Sequence, residues 1–130
     1  MDLGTVLSWT AERYPARRAV GGELSMTYAE WDAHTNQLAR ALAELGVGHG
    51  DRVVLLLAGG EPMASLHLAA QKLGAVSVPL STRLAPEELG YCLDDAEAAL
   101  LVTDETTAPT AEKAGISTQH RDVEIGRAHV

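Results

Sequence analysis

Residues 52–57 read Arg-Val-Val-Leu-Leu-Leu, apolar without alternation. A strand with one wet face alternates apolar and polar side chains, whereas a strand covered on both faces does not. The run is therefore predicted as a buried strand of a parallel sheet. Residues 75–78 and 99–102 are predicted as two further strands. Helical patterns separate the three. Pro62 falls where a first helical turn tolerates a missing N–H, Met63, Leu66, Ala70 and Leu73 recur at helical spacing, and Gly74 closes the pattern. Pro86 opens the next helix, with Glu87 and Glu88 placed to favour the helix dipole and Leu89 and Leu93 as its inward pair. Strands joined through helices pair in parallel with right-handed crossovers. The fold class is α/β: an N-terminal helix and hairpin followed by a βαβαβ parallel-sheet unit.

Upstream of that unit, Thr5 is predicted to cap a helix carrying Val6, Leu7, Trp9, Ala11 and Tyr14, ended by Pro15. Residues 19–20 and 25–28 read as a short hairpin turning at Gly21-Gly22-Glu23. Thr27-Tyr28-Ala29-Glu30 fits a capping box, in which the Thr27 hydroxyl accepts a free N–H and Glu30 reaches back. Trp31, Leu38, Leu42 and Leu45 then share one helical face, and Gly46 supplies a left-handed stop. After Thr103 the pattern dissolves: residues 106–110 are polar and contain Pro109, and residues 111–114 promise at most a weak turn of helix. The last seven residues, EIGRAHV, can be back-translated into the start of a widely used sequencing adapter. The expected division is thus residues 1–123 as a partial domain and residues 124–130 as a non-native tail.

Charge and cysteine usage exclude several classes. Eighteen acidic residues against ten basic ones leave a net charge of −8. Nucleic-acid surfaces need clustered cations to displace counterions, so a nucleic-acid partner is not expected, nor an anionic membrane. Cys92 is the sole cysteine, which rules out an internal disulfide and suits a reducing compartment. The opening Met1-Asp2-Leu3-Gly4 lacks the features of a signal peptide, and the longest apolar run, residues 53–58, is too short to span a bilayer. A soluble, cytoplasmic protein is expected.

Two stretches carry a resemblance. LSMTYAEWDAHTNQLARALAELGVGHGDRVVLLL and KLGAVSVPLSTRLAPEELGYCLDDAEAALLVTD resemble the early part of adenylate-forming (AMP-binding) enzymes, a family of acyl-CoA synthetases, peptide-synthetase adenylation domains and luciferases. The shared features, in order, are Thr-Tyr before a helix, Leu-Gly-Val, a Gly-Asp-Arg-Val strand entry, a Gly-Ala strand, a Pro-Leu exit, Arg-Leu, and a Pro-Glu-Glu-Leu helix start. The resemblance implies part of the large N-terminal domain of such an enzyme. It implies a parent that is an ATP-dependent acyl-CoA ligase, joining a carboxylic acid to ATP with Mg²⁺, releasing pyrophosphate and passing the acyl group to coenzyme A. Two alternatives stand beside it: a fragment of a peptide-synthetase adenylation domain, and a stand-alone non-catalytic α/β binding module.

In the family the phosphates are held by a Ser/Thr/Gly-rich loop with a following lysine, and a second lysine comes from a small mobile carboxy-terminal domain. The two lysines here, Lys72 and Lys113, stand in neither setting, and the sequence contains no such loop. Charge developing on phosphates needs preorganised donors. No catalytic residue is therefore assigned, no cofactor is expected for this chain alone, and it is expected not to adenylate.

Several features invite chemistry. Gly46, Gly48 and Gly50 alternate, but between helix and strand, the reverse of the strand-to-helix order that aims N–H groups at a phosphate. Gly59-Gly60 has the right order, yet Glu61 brings a negative charge and Pro62 lacks a donor. Arg83 follows the strand end at Pro79, on the side of a parallel sheet where ligands gather. In some CoA ligases that this sequence resembles, the matching arginine helps hold the phosphates of CoA, which makes Arg83 the cofactor-binding candidate. Ser81-Thr82 stands where that family often has Asn-Pro, and a solvated or carboxylate-paired surface arginine is the competing reading. His34, His49, His67, His120 and His129 have no zinc-ligand spacing, so no metal site is assigned. His67 is expected to make a local hydrogen bond, Asp94-Asp95 to form a solvated turn, Cys92 to be a buried apolar residue, and Trp9 and Trp31 to be core.

Overall fold

The computed structural model describes residues 3–21 and 25–115, and the backbone alone of residues 121–125. In chain order the elements are α1 (Leu3–Arg13), β1 (Arg18–Val20), β2 (Met26–Thr27), α2 (Tyr28–Glu44), β3 (Arg52–Leu56), α3 (Glu61–Lys72), β4 (Val76–Pro79), α4 (Pro86–Ala96), β5 (Leu100–Asp104), α5 (Ala108–Ala114) and β6 (Arg121–Ile125). β1 and β2 form the small antiparallel pair, and a second sheet has the order β4-β3-β5-β6 with every neighbour parallel.

β3 is central, and its lack of alternation has a direct cause. Val53, Leu55 and Leu57, with Leu100 and Val102 of β5, pack against Leu42 of α2 and Leu66, Ala69 and Ala70 of α3. Val54, Leu56 and Leu101 pack on the opposite side against Leu89 and Leu93 of α4 and Ala111 of α5. Helices cover both faces, so every position of β3 beyond Arg52 is buried. Each fully buried leucine contributes about 1.5–3 kcal/mol. Small Ala69 and Ala70 let α3 lie close on the sheet.

The capping box closes as predicted: Thr27 Oγ1 accepts the Glu30 N–H at 3.2 Å and Glu30 Oε1 accepts the Thr27 N–H at 2.8 Å. Gly46 turns the chain out of α2 with φ +96°. A polar layer ties α1, α2 and α3 together. Lys72 Nζ donates to Asp32 Oδ1 at 2.6 Å, Thr35 Oγ1 at 2.8 Å, Asn36 Oδ1 at 2.8 Å and the Asp32 carbonyl at 3.2 Å. The Ser8 hydroxyl donates to Asp32 Oδ1 from α1 at 2.8 Å.

Four expectations change. Thr5 lies inside α1, which is already helical at Leu3. Trp9 is not core: it is 56% exposed, because α1 turns Gly4, Leu7 and Ala11 inward and Trp9 away from them. Residues 108–114 form a full two turns of helix, with Pro109 in its first turn rather than breaking it, and Ala111 buried. β6 follows where no strand was expected, and its last two residues, Glu124 and Ile125, pair with Thr103 and Asp104 of β5. Residues 126–130, the rest of the expected non-native tail, lie outside the described residues.

Candidate functional site

In a parallel sheet, ligands collect beyond the carboxyl ends of strands, where successive crossovers leave in opposite directions. Here that point lies between β3 and β5, since β4 flanks β3 on the other side. The crevice is spanned by a protein carboxylate. Asp104 Oδ2 accepts the Ala58 N–H at 2.9 Å, while Oδ1 accepts the Thr106 N–H at 2.9 Å, the Thr107 N–H at 3.1 Å and the Thr106 hydroxyl at 2.7 Å. The Thr107 hydroxyl donates to the Leu56 carbonyl at 2.6 Å and accepts the Asp104 N–H at 2.9 Å. Burial alone would push the Asp104 carboxyl up, but the hydrogen bonds from Ala58, Thr106 and Thr107 outweigh it and hold the group below its ordinary range. The two loops are thus stitched together by a negative charge, which disfavours an anionic ligand between them.

The turn from β3 into α3 fails as a phosphate cradle for a related reason. Gly59 and Gly60 both take positive φ, 103° and 81°. At the helix start, however, Glu61 Oε2 accepts the Ser65 hydroxyl at 2.5 Å and lies 3.4 Å from His34 Nε2. Ser65 Oγ in turn accepts Trp31 Nε1–H at 2.8 Å, which fixes the partly buried indole. Glu61 puts a negative charge in the first turn and Pro62 offers no N–H, so the start of α3 is a poor seat for a triphosphate.

Arg83 stands in the loop between β4 and α4. Its N–H donates to Ser81 Oγ at 3.1 Å and Leu84 N–H to the Ser81 carbonyl at 3.2 Å, a tight turn that presents the side chain to solvent. Among the described residues no carboxylate forms a salt bridge with its guanidinium, and the residue is exposed. The following helix starts at Pro86, with Glu88 Oε1 accepting the Ala85 N–H at 3.0 Å.

Between the ends of β3 and β4 and the first turns of α3 lies a cavity of about 330 Å³, lined by Leu55, Gly60, Met63, Ala64, His67 and Pro79. His67 Nδ1 is hydrogen-bonded to the Ser77 hydroxyl, so the expected bond exists, with its partner on β4 rather than on the same helix. The lining is otherwise apolar and carries no nucleophile. Among the described residues no three His, Cys, Asp or Glu side chains group as metal ligands. His49 rests on Gly74, Cys92 is only partly buried, Asp94 and Asp95 are exposed at the end of α4, and His120 and His129 lie outside the described residues. Arg83 and the β3–α3 turn face the same end of the sheet, but nothing brings their side chains together. Sequence reasoning missed Asp104; Asp-Glu-Thr-Thr at a strand end, with threonines two and three positions after the Asp, was its available signal for a side-chain-closed turn.

The family model described as AMP-binding enzyme matches residues 7–128. This chain belongs to the AMP-binding enzyme family. Over 85 residues it is 40% identical to the 3-hydroxybenzoate–CoA ligase of Aromatoleum sp. (strain CIB), a match covering 65% of this chain and 16% of that enzyme. Over 96 residues it is 38% identical to the malpibaldin synthetase of Mortierella alpina, covering 74% of this chain and 2% of that protein. The crystal structure of the N-terminal domain of FACL13 from Mycobacterium tuberculosis superposes with a TM-score of 0.90 at 31% identity, covering 98% of this chain and 34% of that domain. The described part of this AMP-binding family member therefore has the architecture that begins the large domain of acyl-CoA ligases, and it spans about a sixth of the curated ligase and a third of the solved domain.

Proposed function

We propose that this chain is the amino-terminal part of an ATP-dependent acyl-CoA ligase, a cytoplasmic enzyme that activates a carboxylic acid and transfers it to coenzyme A. The observation supporting this most strongly is the 40% identity to a CoA ligase over 85 residues, together with the superposition of 98% of the chain on the N-terminal domain of FACL13. Within this part, Arg83 is the residue suited to contact a phosphate of CoA: permanently charged, fork-shaped, solvent-facing and free of a carboxylate partner among the described residues. Glu61 and Pro62 at the start of α3, and Asp104 across the crevice, do not suit the phosphates of ATP, so no step of adenylation is attributed to these residues. A second reading, an adenylation domain that loads a carrier protein, is favoured by the likeness to a peptide synthetase. The non-native origin of residues 124–130 is a proposal on the same footing.

One experiment addresses all three. Sequencing the genomic locus past the codon for Val123 is expected to show a continuing frame with a Ser/Thr/Gly-rich loop followed by lysine. A carrier domain after the ligase would favour the second reading, and a genuine stop codon after Val130 would refute both the ligase parent and the adapter origin.

A further inference from the structure

The solvent side of α1 differs from the rest of this acidic surface. Opposite the buried stripe of Gly4, Leu7 and Ala11, the outward stripe is Val6, Trp9 and Arg13 at helical spacing, with Val6 and Trp9 exposed. Just past the helix, the guanidinium groups of Arg13 and Arg17 lie over the Tyr14 ring, 5.6 and 4.6 Å from its centroid. Arg18 follows and is exposed. None of the three arginines pairs with a carboxylate among the described residues, in a chain whose net charge is −8. A lone exposed apolar residue, or a lone exposed arginine, means little. Here the two coincide, and Trp, Tyr and Arg are the residue types that dominate interface hot spots. Stacking on Tyr14 also holds two guanidinium groups in place before any partner arrives, which lowers the ordering cost of binding.

We infer that the outward face of α1, from Val6 through Arg17, is a docking surface for a short acidic amphipathic segment of another protein. Charge complementarity selects the partner. Exposed guanidinium forks match carboxylates, and Trp9 with Val6 receives the apolar side chains between them. A second copy fits poorly, because a two-fold contact would set the arginine cluster against itself. An anionic membrane fits poorly too: lipid-binding basic segments carry about four to eight cations, and the remainder of this chain is acidic. The inference goes beyond the ligase reading and rests on the outward face of α1 staying open to solvent in the longer protein.

The test titrates the 130-residue chain into a fluorescein-labelled twelve-residue peptide of alternating Glu-Glu and Leu-Leu pairs, read by anisotropy at low salt. Saturable binding is expected. It should weaken about tenfold or more on combining Arg13→Gln with Arg17→Gln, and likewise on Trp9→Ala. Binding should vanish when lysine replaces glutamate in the peptide, and should be unchanged by Arg40→Gln, an exposed arginine on α2. All substituted side chains lie on solvent-facing positions, and far-UV circular dichroism checks that every variant keeps its fold. Absence of saturable binding, equal binding of the lysine peptide, indifference to the arginine pair, tighter binding to phosphatidylserine vesicles, or self-association in place of peptide binding would each overturn the assignment.

Discussion

Lys72→Met removes an ammonium while keeping most of its aliphatic stem, and the structure sets what that should cost. The Lys72 side chain is only 10% exposed and that of Asp32 23%. The ammonium has three hydrogens and four acceptors within 3.2 Å, from Asp32 twice, Thr35 and Asn36. A hydrogen bond to a charged group contributes about 1.5–3 kcal/mol net, but bonds sharing one ammonium do not add. Breaking a fully buried pair costs about 3–5 kcal/mol. Asp32 keeps the Ser8 hydroxyl and some water, so a loss of about 2–4 kcal/mol is expected. With a urea slope near 1.5 kcal/mol/M for a small domain, the unfolding midpoint should fall by about 2 M. Urea titration followed by far-UV circular dichroism measures this. Combining Lys72→Met with Asp32→Asn should cost much less than the sum of the single changes, because both act on one contact. A loss under about 1 kcal/mol, or strict additivity, would refute the idea that this layer fastens α1 and α2 to α3.

Asp104→Asn should weaken the tie between the β3 and β5 loops, since an amide can accept on only one of the two sides where the carboxylate accepts on both. After allowance for solvent the loss near neutral pH should be about 1 kcal/mol. The folded-state pKa of Asp104 is depressed, so its contribution is present above the ordinary carboxylate range and disappears as pH falls through the folded value. Melting of wild type and variant from pH 7 downward should therefore converge in acid; a constant gap would contradict this. Gly74→Ala should cost about 1–2 kcal/mol, because φ is +72° and a Cβ there meets the His49 ring. Adding His49→Ala should restore only the steric share, as judged by the urea midpoint.

The legible part of the fold was whatever the chain declares locally. The three central strands and the helices between them follow from an unbroken apolar run, from Pro62 and Pro86 in first turns, and from glycine stops. α5 was obscured because Pro109 reads as a breaker until it is placed in a first turn. β6, Arg-Asp-Val-Glu-Ile, alternates charged with apolar residues only weakly and pairs with a strand some twenty positions earlier, as its register shows. Trp9 misled because composition favours burying tryptophan, whereas the phase of α1 turns it outward. The polar ties were invisible for a different reason. Lys72 and Asp32 are 40 positions apart, and Asp104 and Ala58 are 46, so no local pattern announces either contact. Arg83 was legible as a position, past a strand end, and the structure adds that its charge has no carboxylate partner among the described residues.

Pyrophosphate release by the purified 130-residue polypeptide, given ATP, magnesium and a panel of fatty and aromatic acids, tests most directly whether these residues are scaffold rather than engine. The account predicts a rate no higher than that of the buffer alone, because the turn into α3 carries Glu61 and lacks an N–H at Pro62, and Asp104 bridges the crevice between β3 and β5. Acid-dependent release above that background would contradict it.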